Sequence, residues 1–276
     1  MRTMVLKLRK DKIAIISLLF LLCVVIAGLL APLIAPHDAN YTNIANKYQP
    51  MSSTYWLGTD HLGRCIFSRL LYGIRTTFFL ALLTMMITMT IGAFFGVVSG
   101  YFKGKVDQFF MRVCDIMLSF PSEVMILAIV GLLGPGIFNV IVASICVKWA
   151  WYTRMVRGIV YDSSNQNYIL FSKTIGMPKR FILQKHVLPI AMPQIFILAS
   201  LDTGWVILSI SSLSFLGLGV QAPTAEWGSM LSEARNVLLT YPEQMIAPGI
   251  AILLVVAALN YLGDSMRDVL DKKEAL

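Results

Sequence analysis

Six nearly uncharged stretches divide this sequence, and together they leave almost no room for a water-soluble fold. They cover residues 13–35, 78–99, 113–133, 137–151, 190–218 and 245–262. A hydrocarbon core of ~30 Å takes ~20 helical residues to cross, and only the fourth stretch falls well short of that. In lipid every backbone polar group must be satisfied within the chain, so each stretch reads as a helix. The composition agrees: 57% of the 276 residues are hydrophobic and 14% charged, where soluble domains run near a quarter charged. The expected fold is an all-α integral membrane protein with six transmembrane helices.

Details within the stretches refine that picture. Gly134-Pro135-Gly136 predicts a tight turn between antiparallel helices three and four. The fifth stretch is long and carries Pro193 and Gly204, which predicts tilt or a local break. Gly92, Gly96 and Gly100 recur every four residues, the spacing that lets two helix backbones approach closely. The first stretch follows Arg2, Lys7, Arg9, Lys10 and Lys12, as in a signal peptide, but it exceeds the ~7–15 apolar residues of a signal core. It reads as a retained first span.

The distribution of Lys and Arg sets the orientation, because basic residues concentrate in cytoplasmic segments. With the N-terminus inside, the inner segments hold the five residues just named and Lys103, Lys105, Arg112, Arg154, Arg157, Lys173, Lys179, Arg180, Lys185, Arg267, Lys272 and Lys273. The outer segments hold only Lys47, Arg64, Arg69, Arg75 and Arg235. Both termini are therefore expected in the cytoplasm, with Lys148 free to snorkel from the inner part of the fourth span. The net charge of +8 belongs to this pattern rather than to a nucleic-acid-binding face.

Reactive clusters are missing from the sequence. Gly100-Tyr-Phe-Lys-Gly104-Lys105-Val106 lacks the spacing and the hydroxyl residue of a phosphate-binding loop. No His-Glu-x-x-His, nucleophile elbow or paired carboxylate is present, and the histidines are only His37, His61 and His186. Cys23, Cys114 and Cys146 lie in or beside apolar stretches, and only Cys65 is in a polar one, with no disulfide or zinc spacing. Catalysis by this chain is not expected, nor is a cofactor of its own.

The segment 167–189 between spans four and five carries the most function. An apolar-rich helical stretch over 167–175 ends at Gly176, which suits a left-handed turn. Pro178 then suits the first position of a second helix, where Phe181, Ile182 and Leu183 present an apolar surface among Lys179, Arg180 and Lys185. Such an elbow can push on a soluble partner; the alternative is an amphipathic segment lying on anionic lipid. Gly176, nine residues and His186-Val187-Leu188-Pro189 resemble the signature loop of bacterial ABC importer permeases: Glu-Ala-Ala, three residues, Gly, nine residues, Ile-x-Leu-Pro. Gly176, Leu188 and Pro189 match, whereas Leu170, Phe171 and Ser172 replace Glu-Ala-Ala and His186 replaces Ile. The resemblance implies coupling helices docked in a groove of ATPase subunits, with an apolar plug from Leu170 and Phe171 in place of the missing glutamate.

Two outer-face stretches extend the resemblance over nearly the whole chain. Leu57-Gly-Thr-Asp-His-Leu-Gly-Arg-Cys65, continuing to Ser68-Arg69, resembles the signature of the second permease subunit in dipeptide, oligopeptide and nickel importers, with Gly58, Asp60, Gly63, Arg64 and Arg69 in place. Cys65 stands where that signature has Asp. Ser214-Phe-Leu-Gly217-Leu-Gly219, then Ala222 to Glu226-Trp227-Gly228, is similar to the same subunit's outer-face motif. The local form looks most like the nickel-transport C subunit. Read physically, Leu62, Ile66, Leu70 and Ile74 form an apolar stripe beside Arg64, Arg69 and Arg75. That predicts a helix on the outer membrane surface leading into span two, with part of a landing surface for a delivery protein as the functional version. Asp60, His61 and Cys65 offer only a weak soft-metal set, and no metal site is assigned.

Two carboxylates lie inside spans. Asp202 is near the middle of the fifth, where it either lines a cationic substrate's path or makes an interhelical hydrogen bond; Glu123, after Pro121, reads as a solvated helix end. The resemblance implies a type I permease of 13–276 after a short cytoplasmic N-terminus (1–12), with outer loops 36–77 and 219–244 and a cytoplasmic loop 152–189. It implies a bacterial inner-membrane location, a homologous second permease subunit, two cytoplasmic ATPase subunits that bind ATP and magnesium, an extracytoplasmic substrate-binding protein, and no nucleic acid. The expected cargo is nickel or another divalent metal, chelated; the alternatives are di- or oligopeptides, or a proton-coupled secondary transporter using Glu123 and Asp202.

Overall fold

The computed structural model describes residues 11–274, so Arg2, Lys7, Arg9 and Lys10 lie outside the described residues. Its regular elements are helical, joined by short turns and one longer outer loop. Helix α1 (Lys12–Leu29) is capped by Asp11, whose carboxylate accepts from the Ile13 and Ala14 N–H groups at 3.0 and 3.1 Å. A one-turn α2 (Ala31–Ile34) follows, and an irregular segment crosses the outer face to α3 (Ile66–Ile74). A π turn (Arg75–Phe79) joins α3 to α4 (Leu80–Phe102), so 66–102 is one helix. The surface helix expected around 62–74 is thus the outer end of span two itself. Ile66 and Ile74 of its stripe are buried, but so are Arg64 and Arg69, while Arg75 is exposed.

Span three departs from expectation. Instead of one helix over 113–133 there are two, α5 (Gly104–Leu118) and α6 (Ser122–Leu133), bent by 77° at the break. Pro121 explains it: the residue before a proline is pushed out of the helical region, and proline cannot donate to the ladder. α7 (Ile137–Ser164) runs well past the fourth stretch as read from hydropathy. The inner loop contains α8 (Asn167–Thr174) and α9 (Lys179–Ile182). A second π turn (Leu183–Val187) leads from α9 into α10 (Leu188–Phe215). α11 (Trp227–Ala234) and α12 (Glu243–Glu274) complete the chain. Among the described residues, four helices are long and apolar enough to cross a membrane, five if the bent pair counts as one span; α7, with Lys148, Arg154 and Arg157, is not among them.

α4 and α7 approach closely, and the glycines allow it. A Cβ on Gly92 would lie 2.5 Å from the Tyr152 Cβ, one on Gly96 2.8 Å from the Thr153 carbonyl, and one on Gly100 2.7 Å from the Arg157 carbonyl. The expected close helix contact is present, and its partner is the span that hydropathy alone marks worst. Val156 and Val160 of α7 are fully buried against this seam. Where association gains little from the hydrophobic effect, such packing is the main stabilising term. Gly96→Leu is therefore expected to destabilise the folded chain by about 2 kcal/mol or more, read as a lower thermal midpoint in detergent. Gly131→Ala, where a Cβ meets nothing within 4 Å, serves as the neutral comparison.

Candidate functional site

The inner elbow is built as a turn with two anchors. α8 ends in a Schellman arrangement: the Met177 N–H donates to the Ser172 carbonyl and the Gly176 N–H to the Lys173 carbonyl, both at 3.1 Å. Gly176 has φ +79° and nothing within 4 Å of its would-be Cβ, so backbone conformation rather than close packing requires glycine there. Ile169, Ile182 and Val187 are buried and hold α8 and α9 to the bundle. The Tyr101 hydroxyl donates to the Lys179 carbonyl at 2.7 Å, and Lys173 Nζ to the Ser164 carbonyl at 3.2 Å, tying the elbow to the ends of α4 and α7.

With those anchors facing in, Leu170, Phe171, Ile175 and Phe181 face out, Phe171 being 64% exposed. Ser172 is buried and donates to the Tyr168 carbonyl. His186 packs edge-on between Tyr168 and Phe181, with centroids 6.1 and 5.8 Å away, so it braces α8 against α9. Leu188 is half-buried and Pro189 exposed at the start of α10. Lys179–Phe215 forms one 37-residue helix. The elbow's second arm and span five are therefore a single rod.

The outer-face motifs converge on a buried charge lock. Asp60 accepts from the Leu62 and Arg64 N–H groups at 2.8 and 2.9 Å and faces Arg64 Nε at 2.6 Å. Arg64 also reaches Glu233 of α11 at 2.6 Å; Arg69 reaches Glu233 at 3.3 Å and Asp60 at 3.7 Å. Both guanidiniums are 1% exposed. Two carboxylates balance two guanidiniums, which is the condition for keeping them out of water. Gly58 and Gly63, both at φ +74°, let the loop fold over this lock; a Cβ on Gly63 would overlap the Asn43 carbonyl at 1.8 Å.

Glu226 makes a second fastening. It caps α11 by accepting from the Gly228 and Ser229 N–H groups at 2.9 and 2.7 Å, and it accepts from Thr77 and Ser211 hydroxyls at 3.1 and 3.2 Å. Burial pushes its carboxyl up from the ordinary range, while the two N–H donors pull it back down. Trp227 donates from its indole to the Leu70 carbonyl at 3.1 Å, and a Cβ on Gly228 would lie 2.1 Å from the Ser211 carbonyl. Gly217 turns the chain at φ +81°, and Gly219 sits against Ser214. These residues bind α11 to α3 and α10.

Among the described residues, Asp60, His61 and Glu233 bring potential ligand atoms within 4.8 Å of one another. Both carboxylates are already neutralised by Arg64 and Arg69, and a divalent cation would have to sit beside two buried guanidiniums. Cys65 is buried but does not belong to that group. Asp202 lies half-buried on α10, on the side of Tyr152 of α7. Glu123 is not simply a solvated helix end: it pairs with Lys148 at 3.3 Å, and the Lys148 ammonium stands 3.7 Å from the centre of the Trp205 ring rather than snorkelling away. Glu233, Thr77, Lys148 and Trp205 were not legible as functional in the sequence, because each acts on residues far away along the chain.

An elbow continuous with a membrane-spanning helix, and at the motif residues a set of buried ion pairs, are the two features of this bundle that the comparisons with known proteins bear on. Residues 92–275 match the family described as the binding-protein-dependent transport system inner membrane component, and residues 1–50 match the N-terminal transmembrane domain of oligopeptide transport permease C. The metal-staphylopine import system permease protein CntC of Staphylococcus aureus is 45% identical over 97% of this chain and 92% of its own length. The nickel transport system permease protein NikC of Escherichia coli is 39% identical over 86% of this chain and 85% of its own length. The dipeptide transport system permease protein DppC of Alkalihalophilus pseudofirmus is 36% identical over 97% and 88%. Among solved structures, an inward-facing MetNI methionine ABC transporter superposes with a TM-score of 0.61 at 17% identity, over 74% of this chain and 97% of the other. The chain belongs to this family: it is an inner-membrane permease subunit of a bacterial ABC importer with the type I fold.

Two substitutions test the two fastenings. Gly176→Val forces a β-branched residue to positive φ, costing about 1–2 kcal/mol, and is expected to loosen the elbow, read as faster proteolysis between α8 and α9. Gly176→Asn is expected to be tolerated. Arg64→Met leaves Asp60 and Glu233 with one buried guanidinium and is expected to cost about 3–5 kcal/mol, measured by thermal unfolding in detergent.

Proposed function

We propose that this chain forms half of a translocation pathway for nickel or another divalent metal held by a small chelator, with the 167–189 elbow as its coupling to the ATPases. The observation that carries the coupling is the exposed apolar face of Leu170, Phe171 and Ile175 on α8 and Phe181 on the second arm, which is continuous with span five. An isolated apolar patch of this kind marks a protein interface. In the assembly the chain pairs with a homologous permease subunit, two cytoplasmic ATPases lie beneath, and a substrate-binding protein docks outside. Both termini and the elbow are cytoplasmic, and six spans cross the membrane. ATP and magnesium are bound by the ATPases. This subunit positions the path and performs no chemistry.

Movement follows from the rod. ATP binding closes the ATPase pair and tilts the elbow; because 179–215 is one helix, the tilt reaches the outer face. Alternating access by rocking of packed helices is the type of motion such bundles support. The cargo reading is supported by the relatives named for metal-staphylopine and nickel, at 45% and 39% identity. Peptides are the second reading, favoured by the relatives named for dipeptides and oligopeptides at 36% and 35%. Membership of a binding-protein-dependent family leaves the proton-coupled alternative without support.

The test is the assembled complex. ATP hydrolysis is expected to rise with binding protein and a nickel chelate, more than with dipeptide; stimulation by dipeptide alone would transfer the assignment to peptides. Phe171→Asp removes an exposed apolar contact and is expected to weaken co-purification of the ATPase by about tenfold or more. Undiminished association would remove the elbow from the interface.

A further inference from the structure

Helix α5 leaves a whole face without a partner. Its carboxylates turn toward the bundle: Asp107 pairs with Arg157 and accepts from the Ser99 hydroxyl, both at 2.5 Å, and Asp115 pairs with Arg154. Cys114 is fully buried, and Phe110 meets the Phe95 ring at 5.0 Å. Away from the bundle, Val106, Phe109, Ile116 and Phe120 are 41% to 66% exposed. With the half-buried Val113 they recur at intervals of three and four, so they form one continuous stripe. Lys105 and Arg112 border that stripe along one edge, and the exposed Gln108 and Ser119 lie on the polar arc beyond them. Among the described residues neither Lys105 nor Arg112 forms an ion pair.

The lengths of the two bent helices set the depth of this face. α6 has 12 residues and covers at most ~18 Å at ~1.5 Å per residue, short of the ~30 Å hydrocarbon core. At least ~12 Å of the crossing therefore falls to α5 and the turn at Pro121. The 77° bend prevents both helices from standing along the membrane normal, so α5 leaves the hydrocarbon at a slant. Phe120 and Ile116 lie within it. Arg112, seven residues before Ser119, is ~10 Å further along and reaches its edge. Lys105 lies another ~10 Å on, in the headgroup layer.

We infer that α5 is a binding face for anionic phospholipid of the cytoplasmic leaflet. Acyl chains lie along the apolar stripe, and lipid phosphates pair with Lys105 and Arg112. Helices with an apolar face bordered by Lys and Arg take up this position in a bilayer. A protein partner would have to bring carboxylates to the depth where lipid phosphates already stand. A zwitterionic headgroup carries its own ammonium, so net anionic lipid is the better counter-ion for two unpaired cations. Through Asp107 and Asp115 the same helix holds Arg157 and Arg154 of α7, which runs on toward the elbow. Leaflet and depth rest on the six-span reading proposed above.

The experiment places the photo-cross-linking residue p-benzoylphenylalanine at Phe109, Phe120 or Gln108 of the complete importer, in vesicles of phosphatidylethanolamine and phosphatidylglycerol. Phe109 and Phe120 are expected to link to phospholipid, and Gln108 to little of it. At Phe109 the adducts should be enriched in phosphatidylglycerol over the bulk ratio by about fivefold for each cation engaged. Lys105→Gln with Arg112→Gln should return them to the bulk ratio. Salt at ~1 M, where screening acts within ~3 Å, should do the same, and it carries the test if the double variant fails to assemble. Linking of Phe109 to a protein chain, or to phospholipid at the bulk ratio, overturns the lipid face while leaving the six-span reading intact. Absence of lipid adducts at Phe120 as well overturns both together.

Discussion

Continuity of one backbone ladder, from Lys179 to Phe215, joins the elbow to the far end of span five. It is not an ideal helix. The π turn at Leu183–Val187 and Pro193 both lie in its inner part. Pro193 removes a donor from the ladder, and a π turn is a common way to absorb such irregularity without a break. The span stays straight enough to act as a rod because its sides are held: Gly204 lets Val256 and Asn260 of α12 approach, and Ile207 and Ile210 are fully buried.

The outer face supplies the opposing fixture. Buried Arg64 and Arg69 share Asp60 and Glu233, and Glu226 fastens α11 to Thr77 and Ser211. Ions withdrawn from water fix geometry strongly, because breaking one pair strands a charge. In the proposed coupling, a rod that moves at its elbow end against a face that resists deformation would convert a tilt into opening and closing. The motif glycines serve that rigidity through closeness, with Gly63, Gly219 and Gly228 each set against neighbouring backbone or a short side chain.

Much of this was legible in the sequence, for identifiable reasons. Apolar runs located the four long apolar helices found among the described residues, against six expected, because lipid tolerates no polar backbone, and the four-residue glycine spacing announced a close contact. Turn chemistry placed Gly176 correctly at the elbow, while Pro178 caps the second helix one residue before its first position. What escaped were features decided by distant partners. Arg64 and Arg69 read as surface charges because Glu233, their counter-ion, is more than 160 residues away. Glu123 read as a helix end because Lys148 lies across a bend that only Pro121 hinted at. Hydropathy also understated α7, whose cations are paired: Arg157 with Asp107 at 2.5 Å, and Arg154 with Asp115.

The central claim is that the elbow and span five move as one body. Spin labels at Arg180 and Leu208 in the assembled importer span 28 residues of the rod, ~42 Å at ~1.5 Å per residue, and pulsed electron resonance reads that distance with and without ATP. The account predicts a constant separation within the rod while the distance from Leu208 to a label on the partner permease subunit changes. A separation within the rod that changes on ATP binding, or an outer-face distance that ignores ATP, would contradict it.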